Sequence, residues 1–355
     1  MRIRRRLPVI LAVLVVIAAV ALAVVLRKHA PPEVARLLPG ADGFVYVNLA
    51  WMRRANLTGE LPSVPHDPDY EQFIQATGIQ FERDLDEAAL AIHYPAGSSD
   101  TKGTYSQPRF SEVLAGKFDG ERLRAYLRRI SSSVDNYQTR DIYNIPLEGR
   151  TLRVSILGVD TVAASNLDDA LVIRGMIQRS RKLASPFGGP ALLRQYYKDV
   201  PLASLGWAIF KIQPSAGFSA SGPVGWSFLF TKPATAVASV RYLGAVHFKA
   251  QAFTGSDEEA TQVAARIETY LNLFRTAEST VPAPGTDADI KAFFDSLKIQ
   301  TQKNRAVLTA AVPVGLIRKV LAAPAAVTLP AQPPENNSSA ESKTTRKKKV
   351  PNQSR

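Results

Sequence analysis

The chain has 355 residues, of which 46% are hydrophobic, and it carries a net charge of +13 and no cysteine. Its length allows one large hydrophobic core or two smaller ones. The lack of cysteine excludes disulfides, thiolate zinc sites and the attachment of a lipid through cysteine. Large secreted eukaryotic domains often carry disulfides, so a chain of this size without them is typical of the bacterial periplasm.

The N-terminus combines basic residues with a long apolar run. Four arginines come first, at Arg2, Arg4, Arg5 and Arg6. Twenty residues without a charge follow, from Leu7 to Leu26. As a helix they would be about 30 Å long, which matches the hydrocarbon core of a bilayer. We therefore predict a transmembrane anchor whose lipid-embedded side chains include Leu7, Ile10, Leu14, Ile17, Leu22 and Leu26.

The basic residues on the two sides of this anchor predict its orientation. Only Arg27 and Lys28 follow the apolar run directly, and the flank richer in Lys and Arg tends to stay in the cytoplasm. We predict that residues 1–28 form a cytoplasmic stub and the anchor, which crosses the bacterial inner membrane once, and that the body faces the periplasm. A cleaved signal peptide is the alternative, because Ala21-Leu22-Ala23 resembles a cleavage site.

The positive charge is concentrated at the two ends of the chain. The flanks of the anchor and the segment after residue 329 hold ten of the thirteen net charges, which leaves three for the body. A nucleic-acid partner is therefore not predicted. Residues 329–355 are rich in Pro, Asn, Ser, Lys and Arg, which predicts a disordered tail. Its basic run at 346–349 either attracts anionic lipid or another envelope polyanion, or is simply solvated.

Apolar periodicity predicts an α+β fold with a mainly antiparallel sheet. Asp119 and Ser256 occupy cap positions ahead of helices with one apolar face. The predicted strands outnumber the helices and often follow one another directly, which favours antiparallel pairing. Several of them alternate polar and apolar residues, which predicts one solvated face. The predicted strands are Gly43–Leu49, Ala88–Tyr94, Glu112–Phe118, Leu152–Leu157, Thr161–Ala164, Ala203–Ile212, Ala234–Tyr242, Val246–Phe253 and Ala306–Ala311.

The order of the predicted elements repeats along the chain. Each half has a leading strand, two further strands, a capped helix, a strand pair and a closing helix. The leading strands contain Phe44-Val45-Tyr46-Val47 and Trp207-Ala208-Ile209-Phe210. We therefore predict an internal duplication, with a first lobe at residues 29–200 and a similar second lobe at residues 201–328.

The start of the body carries a resemblance to a known kind of protein. The segment from Leu37 to Val47, with its Leu-Pro-Gly-Ala-Asp-Gly sequence, follows shortly after a single apolar span. This layout resembles uncharacterised bacterial exported proteins in which a short linker leads into a duplicated α+β domain. Such domains have no known function, so the resemblance implies a fold and a location but assigns no site residue.

The residues that could perform catalysis or bind a metal form no known motif. The four histidines are widely separated, and no His-x-x-x-His pair, Gly-x-Ser-x-Gly turn or phosphate-binding glycine loop occurs. The strongest candidate is the segment from His66 to Glu71, which places three carboxylates beside an imidazole. The same segment suits the start of a helix, with Asp67 as its cap and Pro68 at its first position. We predict no enzymatic activity, no cofactor and no metal site.

One loop has the composition of an interaction site. Between Gly217 and Phe230 it combines small residues with Phe218, Trp226 and Phe228, which could present an apolar surface to a partner, a lipid or the membrane. The alternative is a connector that leads into a buried strand near Trp226.

Together these features predict a membrane-anchored, noncatalytic module of the bacterial envelope that binds another protein or an extended envelope component. A carrier or sensor of a lipid or small apolar ligand is the first alternative, and an enzyme with a dispersed site is the second. An enclosed apolar pocket would favour the carrier, whereas a filled core with an exposed apolar patch would favour a protein partner.

Overall fold

The computed structural model describes residues 30–54, 66–94, 109–147, 149–182, 188–213, 228–280 and 288–316. The predicted transmembrane helix, its arginines and the basic tail lie outside these ranges. Within the ranges, the structure contains no helix that is both long and apolar enough to cross a membrane.

The described chain contains runs of consecutive strands separated by helices, which is the pattern of an α+β fold. The helices are α1 (Glu33–Leu37), α2 (Leu49–Arg54), α3 (Pro68–Thr77), α4 (Phe81–Asp84), α5 (Gly120–Ile130), α6 (Leu171–Arg181), α7 (Ala191–Tyr196), α8 (Asp257–Thr280) and α9 (Ala288–Ser296). The strands are β1 (Gly43–Asn48), β2 (Leu85–His93), β3 (Arg109–Gly116), β4 (Ser133–Tyr137), β5 (Arg140–Leu147), β6 (Arg150–Ile156), β7 (Thr161–Ser165), β8 (Ser204–Ile212), β9 (Ala234–Tyr242), β10 (Val246–Phe253), β11 (Lys298–Gln302) and β12 (Arg305–Val312).

All twelve described strands belong to one antiparallel sheet. Their order is β11-β12-β10-β9-β8-β1-β2-β3-β7-β6-β5-β4. The α+β class with a mainly antiparallel sheet is therefore confirmed. The two predicted lobes, however, are the two halves of a single sheet, because β1 and β8 pair with each other at its centre.

The strand order is the same in both halves when it is followed outward from the centre. β1, β2 and β3 are followed by β7, and β8, β9 and β10 are followed by β12, so in each half the last strand returns to lie beside the third. The central pair is joined in a register that places Val45 opposite Ala208, the corresponding residues of the two leading strands. The first half has an additional hairpin, β4 and β5, at its outer edge. This order agrees with a duplication, and the boundaries of the lobes stay predictions.

One face of the sheet is covered by helices α1, α6 and α7, and we call it the closed face. Its central residues are fully buried: Phe44 and Tyr46 of β1 and Trp207 and Ile209 of β8 are at most 4% exposed. The helices pack on them through apolar residues of α1, α6 and α7, including Leu37, Ile173, Met176, Ile177 and Leu193. Burial of this apolar surface is the main stabilising contribution to the centre of the fold.

Among the described residues, the other face, which we call the open face, is packed against α5 on the first half, against α8 from β8 to β12 on the second half, and against α2 at one end. On the first half, Leu123 and Leu127 of α5 pack on the sheet, together with Phe73 of α3. On the second half, Val263 and Ala264 of α8 pack on it. The short helix α2 lies at one end of the face, where Met52 contacts a small cluster around Leu205 and Val246. Helices α5 and α8 thus form two walls on this face, one on each half of the sheet.

The helix starts that the sequence indicates are formed by the expected residues. Asp119 accepts hydrogen bonds from the backbone nitrogens of Glu121 and Arg122, both at 3.1 Å. At the start of α8, the Ser256 hydroxyl accepts a bond from the Glu259 backbone nitrogen at 3.3 Å. The Glu259 carboxylate accepts in turn from the Gly255 backbone nitrogen at 3.0 Å. Both predicted caps are therefore confirmed.

Candidate binding surface

A single row of residues crosses the open face from one wall to the other. Strand pairing places them opposite one another in the order Ala164, Glu112, Leu90, Val45, Ala208, Ala238, Ala250, Leu308 and Ile299. Its two ends lie under the walls, since Ala164 packs in the cluster of α5 and Ile299 packs in the cluster of α8. Apart from Glu112, every residue of this row is apolar.

The middle of this row is not part of any core in the described structure. The six residues from Leu90 to Leu308 are all partly exposed, and none of them belongs to or packs against the four hydrophobic clusters that the described residues form. The neighbouring rows are apolar as well. One contains Ile92, Gly43, Phe210 and Ala236, and the other contains Leu114, Ala88, Val47, Gly206 and Val240. Phe210 and Ala236 of the first of these rows pack against the cluster under α8, and Val240 of the second packs against the cluster under α2. We call the six-residue row from Leu90 to Leu308, together with the unpacked residues of the two neighbouring rows, the apolar floor.

The dimensions of the apolar floor follow from sheet geometry. The six strands from β2 to β12 that carry the apolar residues of the central row are separated by five spacings of about 4.8 Å, so the floor is about 24 Å wide. The three rows extend over about 14 Å along the strands, and parts of the two outer rows lie under α8 and α2, so the exposed apolar area is smaller than about 340 Å². The walls α5 and α8 are helices with a diameter of about 10 Å. Apolar patches of a few hundred Å² are often functional sites.

The centre of the apolar floor is lined by small side chains. Ala208, Ala238 and Ala250 are successive members of the row on β8, β9 and β10, while larger residues stand on both sides, Val45 and Leu90 in one direction and Leu308 in the other. The floor is therefore lowest over β8, β9 and β10. A partner can approach the sheet backbone most closely at this position.

Glu112 is the polar exception in the central row. It lies between Leu90 and Ala164, and burial by these apolar surroundings raises the pKa of its carboxyl above the ordinary value of 4.5. Desolvation disfavours the charged form of a carboxyl, and it is the cause of this shift. The carboxyl can serve as a hydrogen-bond acceptor, or as a donor when it is protonated, at the edge of an apolar surface.

The closed face contains a buried polar group that has a structural explanation. The Glu87 carboxyl accepts a hydrogen bond from the Tyr46 hydroxyl, and burial raises the pKa of Glu87 above its usual range. Burial and the nearby Glu87 also raise the pKa of Tyr197, to about 12. Both tyrosine rings pack against Trp207, with ring centroids 5.4 Å away. Tyrosines with raised pKa values keep their protons at neutral pH, so this arrangement offers packing and hydrogen bonds but no reactive phenolate.

The predicted interaction loop is only partly visible in the described residues. Phe218 and Trp226 lie outside them. Phe228 is 47% exposed, and its ring contacts the ring of Tyr270 on α8 at 5.1 Å in an edge-on arrangement. The next residues, Leu229 and Phe230, are buried under α8. The following strand begins at Ala234 and not near Trp226, and a role of this loop in interactions stays a prediction.

The segment from His66 to Glu71 forms the start of helix α3, as the interpretation of Asp67 as a helix cap predicts. Asp67 accepts a hydrogen bond from the Tyr70 backbone nitrogen at 2.8 Å. The imidazole of His66 lies 3.1 Å from Glu71 and 3.6 Å from Glu82. Within the described residues, no group of three or more potential ligands is arranged to hold a metal ion.

The sequence contained a signal for the apolar floor. Strands β2, β8 and β9 carry apolar or small residues at both odd and even positions, as in Ala88-Ala89-Leu90-Ala91-Ile92. This composition is typical of strands that are buried on both faces. Strand β10 does alternate, with His247 and Lys249 on the closed face and Phe248 and Ala250 on the open face, whereas the central strands carry apolar residues on both faces.

Comparisons with known proteins reveal only distant structural similarity. No family model and no curated protein matches the sequence. A crystal structure of the protein TP0453, in its crystal form III, aligns with 82% of this chain and 98% of its own length, at 12% identity and a TM-score of 0.43. Its crystal form I aligns with 82% and 97% at 10% identity and a TM-score of 0.40. This similarity is too distant to support an inference about function.

Proposed function

We propose that the protein is a noncatalytic binding module of the bacterial envelope, anchored in the inner membrane by residues 7–26, and that its apolar floor binds an apolar helical segment of a partner protein. The observation that supports this function is the row of six apolar, partly exposed residues between Leu90 and Leu308. In an ordinary antiparallel sheet with one solvated face, this row would be polar.

The shape of the surface favours helices over a second sheet. The walls α5 and α8 each rise about one helix diameter, roughly 10 Å, above the floor. Two packed sheets are also about 10 Å apart. A second copy approaching face to face would bring its own walls against these, and the sheets could not make contact. One or two helices, each about 10 Å wide, fit between the walls.

The openness of the surface favours a protein over a single lipid. Sites for small apolar ligands usually enclose about 70–90% of the ligand surface. A floor that is about 24 Å wide, and over whose central row the described residues pack no helix, would cover an acyl chain mainly from one side. An amphipathic helix can place its apolar stripe on such a surface while its polar face remains in water. The extent to which the surface encloses its ligand is therefore the criterion that separates a protein partner from a carried ligand.

Site-specific photo-cross-linking in the native membrane tests this function. A photoreactive amino acid would replace Ala238, at the centre of the floor, in the full-length chain. The matched control would carry it at Val159, which is 90% exposed in the turn between β6 and β7 and is separated from Ala238 by four strands of the sheet. We expect a discrete protein adduct from position 238 alone, mapped by mass spectrometry to an apolar helical segment.

A charged variant provides the second part of the test. Ala208→Glu places a carboxylate at the centre of the floor, and because Ala208 is partly exposed the fold should tolerate it. We expect the adduct from position 238 to be lost, while Val159→Glu leaves it unchanged. An adduct with lipid only would support the carrier instead, and cross-links only within the chain would show that the floor is an internal core. Either of these two results would overturn the proposal.

A further inference from the structure

A second surface lies on the closed face near the β11 edge of the sheet, over strands β9 to β11. It is a cavity of about 310 Å³. The polar side chains that line it are Arg241, His247, Lys249, Ser296, Lys298 and Thr309. None of its described lining residues carries a carboxylate.

Strand pairing brings the cationic residues of this cavity together. Arg241 of β9 is paired with His247 of β10, and Lys249 lies two residues further along β10 on the same face. Thr309 of β12 stands between Lys249 and Lys298 of β11. The Cβ atoms of paired residues are about 5 Å apart, so Arg241 and His247 are direct neighbours, while Lys249 and Lys298 stand on either side of Thr309 and line the same cavity.

These cations lack the ion pairs that other basic residues of the described structure make. Lys211 lies 3.4 Å from Asp42 and Lys232 lies 2.6 Å from Glu259, but Arg241, Lys249 and Lys298 have no such partner among the described residues. Asp199 is the nearby carboxylate that acts on Lys249, and it is held by Arg305 at 2.9 Å.

Burial and like charges surround the ammonium group of Lys249. Its burial and the neighbouring Arg305 and Arg241 lower the pKa of its ammonium group below the ordinary value. Like charges on neighbouring strands destabilise a sheet. A bound anion would remove this repulsion and give each cation a partner.

We propose that this cavity, which we call the basic pocket, binds a phosphate-type oxyanion, with Arg241 as a bidentate donor and Lys249 and Lys298 as charge partners. The planar guanidinium group suits two oxygens of one phosphate. The Thr309 hydroxyl lies between the two lysines and can donate a further hydrogen bond. The site does not depend on the apolar floor, because it lies on the opposite face of the sheet.

The phosphate group can belong to a free ion or to a lipid headgroup. The cavity volume lies at the lower end of the range for ligand sites, about 300–1,000 Å³, so it accommodates a headgroup as well as an inorganic ion. In both cases the recognition chemistry is the same. The experiment therefore uses one probe of each kind.

Calorimetric titration of the full-length protein in a zwitterionic detergent tests the site. The probes are inorganic phosphate and dihexanoyl phosphatidylglycerol below its micellar concentration. The pocket variant is Arg241→Gln with Lys249→Gln. We expect it to bind the effective probe with at least about tenfold lower affinity, the usual effect of losing a charge-assisted hydrogen bond.

The control removes the same number of positive charges elsewhere. Lys182→Gln with Lys117→Gln changes two exposed lysines of the first half for which the described structure shows no ion pair, and we expect unchanged affinity. Lys298→Gln alone serves as a second pocket variant, because this lysine is exposed and its replacement should leave the fold intact.

Each outcome of the titration is decisive. Binding of phosphate, or of phosphatidylglycerol alone, that only the pocket variants weaken would support the site and identify the source of the phosphate group. Equal weakening in the control would mean a general charge effect, and the absence of binding by either probe to the unchanged protein would mean that the cations hold no oxyanion. Both of these results would overturn the proposal.

Discussion

Glu112 shows how one residue can limit the stability of this fold. Its carboxyl lies in an otherwise apolar row of the sheet, and burial raises its pKa above 4.5. The folded state therefore binds the proton more tightly than the unfolded state does. It follows that the stability contributed by this group is greatest below the unfolded pKa and is lost as the pH rises through the folded value.

Replacing Glu112 by glutamine should remove this pH dependence. At pH 7 we expect Glu112→Gln to be more stable than the unchanged protein, because the desolvated charge is gone. Below about pH 4, where the carboxyl is protonated in both states, the difference should disappear. Urea unfolding at the two pH values measures it.

The control for this prediction is Glu268→Gln, which changes an exposed carboxylate on α8. It should leave the free energy of unfolding nearly unchanged at both pH values. A Glu112 variant that is equally stable or less stable than the unchanged protein at pH 7 would show that its carboxylate has a compensating partner.

At the scale of single elements, helix α5 depends on its cap. Asp119 satisfies two backbone nitrogens at the start of α5, those of Glu121 and Arg122. This helix also forms one wall of the apolar floor through Leu123 and Leu127. Its stability and the shape of the binding surface are therefore linked.

We expect Asp119→Ala to lower the free energy of unfolding by about 1 kcal/mol, the usual effect of losing an N-cap. Chemical denaturation of the full-length protein measures the change. Glu268→Ala, in the middle of α8, removes a carboxylate from an exposed helical position without touching a cap, and should have a much smaller effect. If the two variants behaved alike, the bonds to Asp119 would contribute no net stability.

The elements that sequence reasoning predicted well are those with a strong local signal. The caps at Asp119 and Ser256 and the strands around Val45, Ala208 and Val237 depend on short-range pattern and are found where they were expected. Strand β4 is not among the predicted strands, because its residues are almost all exposed and lack apolar alternation.

The candidate sites depend on contacts between distant parts of the chain. Ala208 and Ala238 belong to strands that the sequence predicts, but only the strand order shows that they are neighbours in one partly exposed row. Similarly, Arg241 and Lys298 are 57 positions apart in the sequence and share the basic pocket only because β12 lies between β10 and β11. Composition gave the body a net charge of only three and did not indicate a local basic cluster.

For the whole molecule, the position of the β1–β8 pair is the main structural consequence of the repeat. If the two halves arose by duplication, their leading strands would be identical edges, and their antiparallel pairing around Val45 and Ala208 would join two copies about an approximate twofold axis. The internal arrangement would then be that of a dimer fused into one chain.

Side-chain contacts connect the segment before β8 to the second half. The Asp199 backbone oxygen accepts a bond from the Gln251 side chain at 3.0 Å, and its carboxylate pairs with Arg305. The ring of Tyr196 contacts that of Phe253. A cut between residues 187 and 188 keeps these three contacts within the second half, whereas a cut at residue 200 would break them.

Co-expression of residues 30–187 and residues 188–328 tests whether the halves recognise each other. Each half alone exposes an unpaired apolar edge strand, β1 or β8, and such edges promote aggregation or self-pairing. Together they should form a one-to-one complex, because each edge has its partner available and closing the central ladder buries Phe44 and Trp207 between the sheet and the helices. Affinity purification through a tag on one fragment, followed by light scattering, measures the stoichiometry. Two folded, monomeric fragments that ignore each other would mean that the central pairing contributes little, and that the twelve strands are held as one sheet mainly by the chain connection between the halves.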